Sequence, residues 1–504
     1  MNYTQEAKEL VQNLDQRITH SAYDIAWMAR LQTSGNGDAR WPDLIEWLLE
    51  HQHPDGSWGG KTIYYHDRIL STLIATIALY ENSHTRQAQQ AVAHGESYLW
   101  HNLHMLPHDP FELPGFELIL PTLLGEARSL GLKVPSHACG YGEIQSAKLR
   151  LIPPELLYSP HISTVHSLEF LGQSGDVNQL REAINESGSI GNSPATTAYY
   201  LSLCRNSDSD ERALAYLEMI RKRDRLTTIY PFRTFETGWV LNNLILSGLP
   251  VKDFADQSVF DDLYAEMTPK GFALDSTFGI ADGDITAVCC RVLLHAGYDV
   301  DPLIMFNFEN PETHIFRTYD YERNISMTTN IHALDALRDL KDYPDQKDVR
   351  SNVAMTLLEN RKYNIYWTDK WHASPYYVTA HALVALLQEE NAMVYAYACK
   401  DTINWIVHNQ RDDGSWGFFQ NDTAEETAYA LTALLYYYRH KPDGLENPDI
   451  IHRGATHLAL KHEASDWTYP ELWLAKSLYA PHDIVRAAIL AALILYEDTF
   501  GRSP

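Results

Sequence analysis

Two aspartates, Asp282 and Asp284, flank a glycine in ADGDITAVCC, and the chain turns apolar directly after them. From Ile285 onward, apolar residues fall at Val288, Cys289, Val292 and Leu293, the spacing of a helix that buries one face. Both carboxyl groups therefore belong to a loop and first helical turn set against a core. An Asp at the head of a helix serves as a cap, because its side chain accepts backbone N–H bonds. A cap explains one carboxyl and leaves the second without a structural task. Two carboxyl groups kept together away from water are a setting in which one of them holds its proton.

The elements that must position this pair come from a chain of 504 residues, longer than one compact core usually manages, so two domains are expected. Hydrophobic residues make up 45%, enough for full globular burial, and 12 Trp and 30 Tyr supply many aromatic faces. A formal net charge of -26 argues against nucleic acid or an anionic membrane as the partner. It also means that an anionic substrate needs a local basic patch or a metal ion. Cys139, Cys204, Cys289, Cys290 and Cys399 form no CxxC pair and read as small buried hydrophobes in a reducing compartment. The N-terminal MNYTQEAKELVQNLDQRI lacks the apolar core of a signal peptide, and AAILAALILY near the C-terminus is about half a membrane span. A soluble, cytoplasmic protein without an integral membrane segment is the expectation.

Internal repetition organises the chain. LLEHQHPDGSWGG at 48–60 recurs as IVHNQRDDGSWGF at 406–418, and each is followed by an apolar helical run. A weaker copy is SGSIGNSPATTAYYLSL at 187–203, and the aspartate pair fits the scheme too: Phe272 precedes Thr286 by the same interval as Trp58 precedes Thr72. Thr423 and Glu426 have the spacing of a capping box. Each unit thus reads as helix, Gly-bearing turn, helix, with few strands expected anywhere. Helical hairpins repeated this way bury their apolar faces on one another, as an open solenoid or a closed ring, and the Tyr and Trp at the turns favour closed α/α barrels. CRNSDSDERA at 204–213 and LSGLPVKDF at 246–254 are the candidate boundaries. DDLYAE at 261–266 has the look of an acidic Mg2+-binding pattern for diphosphate ionisation, but without a second metal motif it reads as a solvated helix face.

Taken together, these motifs resemble those of the class II terpene cyclases, specifically the bacterial diterpene cyclases, over nearly the whole chain. SAYDIAWMA at 21–29 is similar to the family's N-terminal signature, and DGSWG within a Gln-Trp repeat occurs twice. GFELILPTLL at 115–124 resembles the Gly-Phe-Glu segment of the family's inserted domain, and ADGDITAV stands in the place of its Asp-x-Asp-Asp acid motif. DKWHASPYYVTAH at 369–381 and ELWLAKSLY at 471–479 resemble the bacterial subgroup most closely. The resemblance implies an all-α fold of two α/α barrels, β and γ, with γ inserted into β. That places γ at 40–225 and β at 1–39 and 226–504, with the cavity between them.

The implied chemistry is protonation of an isolated alkene, which needs a carboxyl group kept protonated in a site that excludes water. The resemblance makes Asp284 the proton donor, Asp282 its supporting partner, and Asn330 the residue that hydrogen-bonds the acid. Ile285 occupies a motif position that the family usually fills with Asp or Thr; Thr286, which follows, completes the candidate acid site. Trp367, Trp371, Tyr376, Tyr377, Trp473 and Tyr479 are candidates for the aromatic faces that hold the cation. Lys370, Lys476 and Arg68 are candidates for the diphosphate. Mg2+ is implied as cofactor, at Asp109, Glu112 and Glu117. The expected reaction is bicyclisation of geranylgeranyl diphosphate to a bicyclic diterpenyl diphosphate of halimadienyl or clerodane (kolavenyl) type. The diphosphate is retained, so a class I terpene synthase or a phosphatase is the expected next enzyme. Alternatives are a drimenyl or copalyl diphosphate synthase, a squalene-hopene-type triterpene cyclase, or a non-catalytic α/α-barrel subunit. The last would call for a zinc cluster that the sequence does not offer.

Overall fold

The computed structural model describes residues 2–33, 37–137, 139–204, 210–320, 322–464 and 469–501. The boundary candidate at 204–213 lies partly outside them. Helices dominate, and the strands described are two short antiparallel hairpins, Glu309–Asn310 with Ile315–Phe316 and Trp473–Leu474 with Leu478–Tyr479.

The repeat has a hydrogen-bond signature. The backbone N–H of an aromatic residue donates to a Thr Oγ1 in the first turns of the next helix: Trp58 to Thr72 at 3.0 Å, Phe272 to Thr286 at 2.9 Å and Trp416 to Thr427 at 3.1 Å. Trp367 and Thr379 form a further copy at 3.1 Å that lacks the Gly-Ser-Trp-Gly sequence. Each repeat Trp also donates its indole N–H to the end of the preceding helix, Trp58 to Leu48, Trp367 to Leu357 and Trp416 to Ile406. A buried aromatic with its polar edge satisfied thus locks each turn between two helices. Thr423 and Glu426 form the expected capping box, with Thr423 Oγ1 accepting the Glu426 N–H and donating to its carboxylate.

Six inner helices close a ring: Arg233–Ile245, Gly283–His295, Met327–Asp339, Pro375–Leu387, Ala424–His440 and His482–Phe500, the last returning to the first. Their burial explains the arrangement, since Pro375–Leu387 is buried at every position and can only be an inner wall. A second ring joins Ala22–Ala29, Tyr65–Asn82, Phe116–Ser129, the 3-10 segment Ser163–Ser174 and Pro194–Leu203. This ring takes in Ala22–Ala29, from the segment that the sequence reading assigns to the other barrel. Asp261 and Asp262 of DDLYAE are exposed on the helix Gln257–Ala265. The five cysteines are free, and no described helix is long and apolar enough to cross a membrane.

A buried polar staple joins the rings. Lys476, in the turn of the Trp473–Tyr479 hairpin, donates to Glu169 Oε1 at 2.7 Å, Ser193 Oγ at 2.5 Å and the His166 carbonyl at 2.7 Å. Tyr23 donates to the same Glu169 oxygen at 2.9 Å. Lys476 is therefore a structural cation, out of reach of a diphosphate. Arg68 is likewise buried, donating to Ser57 Oγ at 2.6 Å behind the first repeat turn. Neither residue supplies the anion site expected of it.

Candidate active site

A cavity of about 620 Å3 opens between the rings, lined mostly by apolar and aromatic side chains and within the ~300–1,000 Å3 usual for small-molecule sites. Asp282 and Asp284 reach it from the head of Gly283–His295. The cap reading holds for the first of them: Asp282 Oδ1 accepts the N–H of Asp284 at 2.7 Å and of Ile285 at 3.0 Å. Tyr319 bonds the same carboxyl group from the cavity side. Burial, then the charge of Asp284, raises the Asp282 carboxyl to about 7 against the pull of these donors.

Asp284 is held from behind by the helix Met327–Asp339. His332 Nδ1 lies 2.6 Å from its Oδ1, and Thr328 Oγ1 lies 3.0 Å from its Oδ2. Thr328 and His332 are four apart and share one face of that helix. Asn330, between them, points elsewhere. It receives the Phe316 N–H and donates to the carbonyls of Phe316 and Ser326. The bond to the acid expected of Asn330 is made by His332 instead. Thr286 does not join the acid either; its hydroxyl serves the Phe272 backbone.

The Thr328 hydroxyl also lies 3.1 Å from Asp369 Oδ2. One hydroxyl proton cannot serve two carboxylates, so the second contact is favourable only where that carboxyl group is the donor. Asp369 accepts backbone N–H bonds from Met327, Thr328 and Trp371, which favour its anion. Burial opposes them and still raises the group. Behind His332, His381 Nδ1 lies 3.4 Å from its Nε2, and burial first, then His332, pushes His381 well below the usual imidazole range. A neutral imidazole is the result.

Of the candidate aromatics, Trp371, Tyr377, Trp473 and Tyr479 line the cavity. Trp367 and Tyr376 do not: the first is a repeat Trp, and the second stacks on Trp405 at 4.7 Å. Phe235, Trp239, Phe278 and Tyr319 line it unforeseen, and Trp239 sets its ring edge-on to His332 at 5.6 Å. Also unforeseen is His166. His166 lines the cavity, and its Nδ1–H donates to the Gly191 carbonyl at 2.7 Å, which makes Nε2 the nitrogen with the lone pair. Burial, aided by Lys476, lowers this imidazole to about 3.

The cationic end of the cavity is formed among the described residues by Lys148, Arg323 and Lys370, each matched by a carboxylate. Lys148 pairs with Glu117, Arg323 with Glu112, and Lys370 with Glu322 at 2.6 Å. Asp109 is spent on His66, accepting its backbone N–H at 2.8 Å and lying 2.7 Å from its Nδ1. The three residues expected to hold Mg2+ therefore do not fit a metal site: Asp109 is matched by His66, Glu112 by Arg323 and Tyr141, and Glu117 by Lys148, and among the described residues they form no group of metal-ligand spacing. Among the described residues, the grouping that does have metal-ligand spacing is Asp413, Asp422 and His457, none of which lines the cavity.

No family model matches the chain. A type B diterpene cyclase from Mycobacterium tuberculosis is 35% identical over 515 aligned positions, covering 96% of each chain. An ent-copalyl diphosphate synthase from a Streptomyces species is 33% identical, over 89% of this chain and 87% of that one. A (+)-kolavenyl diphosphate synthase from Herpetosiphon aurantiacus is 28% identical over 97% of this chain and 96% of its own. Among solved structures, ent-copalyl diphosphate synthase from Streptomyces platensis superposes with a TM-score of 0.79 at 28% identity, covering 98% of this chain and 99% of that one.

Proposed function

The chain belongs to the class II, or type B, diterpene cyclases, and on that premise we propose that it cyclises geranylgeranyl diphosphate by protonation and keeps the diphosphate in the product. The observation that carries this reading is Asp284, a buried carboxyl group that opens on an apolar cavity while His332 and Thr328 hold it from behind. In this proposal Asp284 carries the proton and Asp369 is the anion, bridged by the Thr328 hydroxyl. Transfer to the terminal alkene leaves a carboxylate whose hydrogen bond to His332 strengthens as its charge grows, so the stabilisation falls on the transition state. Phe235, Trp239, Tyr377 and Trp473 face the cation that results.

Proton loss ends the reaction, and His166 supplies a neutral nitrogen at the wall to accept it. His166→Phe is therefore expected to leave protonation intact but shift where the cation loses its proton. The readout is a changed product pattern by gas chromatography and mass spectrometry after dephosphorylation. An unchanged single product at an unchanged rate would remove His166 from the reaction.

The diphosphate is assigned to Lys148, Arg323 and Lys370, which would exchange their carboxylates for it. No step is assigned to Mg2+, because the carboxylates expected to bind it are already held by His66, Arg323 and Lys148. The inserted unit is placed at 40–225, with 1–39 and 226–504 forming the other, and Ala22–Ala29 lent to the inserted ring. A rearranged bicycle of halimadienyl or kolavenyl type is the proposed product; a kolavenyl enzyme is alike over nearly the full chain, and an ent-copalyl enzyme is alike at higher identity over less of it. A separate enzyme would then ionise or hydrolyse the retained diphosphate. Incubation with geranylgeranyl and farnesyl diphosphates, followed by dephosphorylation and mass analysis, tests the reading. Faster turnover of the C15 substrate, or copalyl diphosphate as the product, would contradict it.

The pH profile gives a second check. An acid raised to about 7 by its fold is protonated below that pH and ionises as pH rises through it. Ionised Asp282 would put a negative charge beside the protonated Asp284 and hold back its proton. Turnover is thus expected to fall as pH rises and Asp282 ionises. Asp282→Asn should flatten that limb. The same limb in Asp282→Asn would assign it to another group.

A further inference from the structure

Behind the cavity wall, the carboxylate of Glu425 meets the outer edge of Trp473. The indole Nε1–H donates to Glu425 Oε1 at 2.9 Å, and His372 Nε2 lies 3.2 Å from the same oxygen. Glu425 does not line the cavity; it is 1% exposed, in the first turn of Ala424–His440. Its other oxygen, Oε2, is buried and has no hydrogen-bond donor among the described residues. Trp473 does face the cavity, with the rings of Tyr377 and Phe235 centred 5.1 Å and 5.9 Å from it.

Such an arrangement is costly to the fold. A buried carboxylate oxygen without a donor destabilises the native state, and glutamine could accept the same indole N–H without a charge. The charge has a use where a cation forms on the far side of the ring. An indole whose N–H donates to an anion gains electron density on its π face, and in this dry wall the anion's own field is poorly screened. We infer that Glu425 is a positioning residue for the cyclisation, setting through Trp473 the negative potential of the wall against which the carbocation forms. This rests on the cyclase reading above.

Its place one layer back follows from the chemistry. A carboxylate in direct contact with the cation would take its proton or bond to it, and the reaction would stop early. Behind an indole it attracts the charge without reaching it. His372 ties a second ring to the same group, stacking on Tyr377 at 4.7 Å and 21°. Asp284 is hydrogen-bonded by His332 and Thr328 and not by Glu425, so acid strength and cation stabilisation come from separate carboxyl groups.

The test is Glu425→Gln, which keeps the bond to Trp473 and removes the charge. Two ligands are compared: a geranylgeranyl diphosphate analogue with a protonated amine in place of the cationic carbon, and its neutral all-carbon counterpart. The substitution should weaken the amine about tenfold and leave the carbon analogue within about twofold, with a melting temperature that is not lowered. Turnover should fall by a similar factor at constant KM. Trp473→Phe keeps the charge and cuts its link to the ring; in that background the effect of Glu425→Gln on amine affinity should shrink. An equal loss for both analogues, no loss for either, or an undiminished effect in Trp473→Phe would overturn the inference. Analogue affinity needs no turnover, so a protein that failed to cyclise geranylgeranyl diphosphate would count against the cyclase reading while this comparison still decided the role of Glu425.

Discussion

Asp284→Asn is expected to lower cyclisation by about 10,000-fold or more, with folding and diphosphate binding nearly intact. Asparagine keeps the size of the side chain and can bond to Thr328 and His332. It cannot deliver a proton acidic enough to attack an alkene. Asp282→Asn should do less, since that residue caps the helix through Oδ1 and tunes the pair by its charge. Were Asp284 only a first-turn residue, its loss would cost about 1 kcal/mol of stability and little activity. Product formation, melting temperature and analogue affinity, measured on both variants, separate these accounts. An Asp284→Asn enzyme retaining more than about a tenth of normal turnover would show that the proton comes from elsewhere.

Lys476→Met is expected to destabilise the protein by about 3–5 kcal/mol, because it leaves Glu169 charged and buried without its partner. Neither side chain of the pair is exposed, and the same lysine satisfies Ser193 and the His166 carbonyl. Adding Glu169→Gln should recover part of the loss, since the stranded charge goes with it. Denaturant midpoints for the single and double variants provide the measurement. Arg323→Gln offers the contrast: it and its partner Glu112 are both partly exposed at the cavity, so the change should raise KM and leave stability nearly unchanged. If Lys476→Met raised KM without lowering stability, the lysine would be a substrate ligand after all.

The repeats and the aspartate pair were legible because both are local. A turn, an aromatic and a threonine 11 to 14 residues after it define each helical hairpin, and the cap at Asp282 lies within three residues of its donors. What faces the acid was not legible. Asn330 and His332 are two apart on one helix, roughly 200° around it, so only one of them can point at Asp284. The hydrogen bonds of Asn330 to the Phe316 backbone take it to the other side. The i, i+4 pair of Thr328 and His332 was the available signal. Lys476 and Arg68 were misread because a basic residue carries no mark of burial; the Glu169 that claims Lys476 is 307 positions away. Trp367 was taken for cavity lining because its repeat lacks the Gly-Ser-Trp-Gly sequence, and its interval of 12 to Thr379 matches that of no other copy. His166 and Glu425 went unnoticed for a related reason. Each acts through a partner from a distant segment, Gly191 for the first and the Trp473 hairpin for the second.

The central claim is that a solvent-derived proton, delivered by Asp284, starts the cyclisation and that the diphosphate survives it. Turnover of geranylgeranyl diphosphate in D2O tests both halves at once. Asp284 must be reprotonated from solvent in every cycle, so the account predicts one deuterium per product molecule, on the ring carbon that was the terminal alkene CH, with no release of inorganic diphosphate. A product without deuterium at that carbon, or diphosphate released in step with turnover, would contradict it.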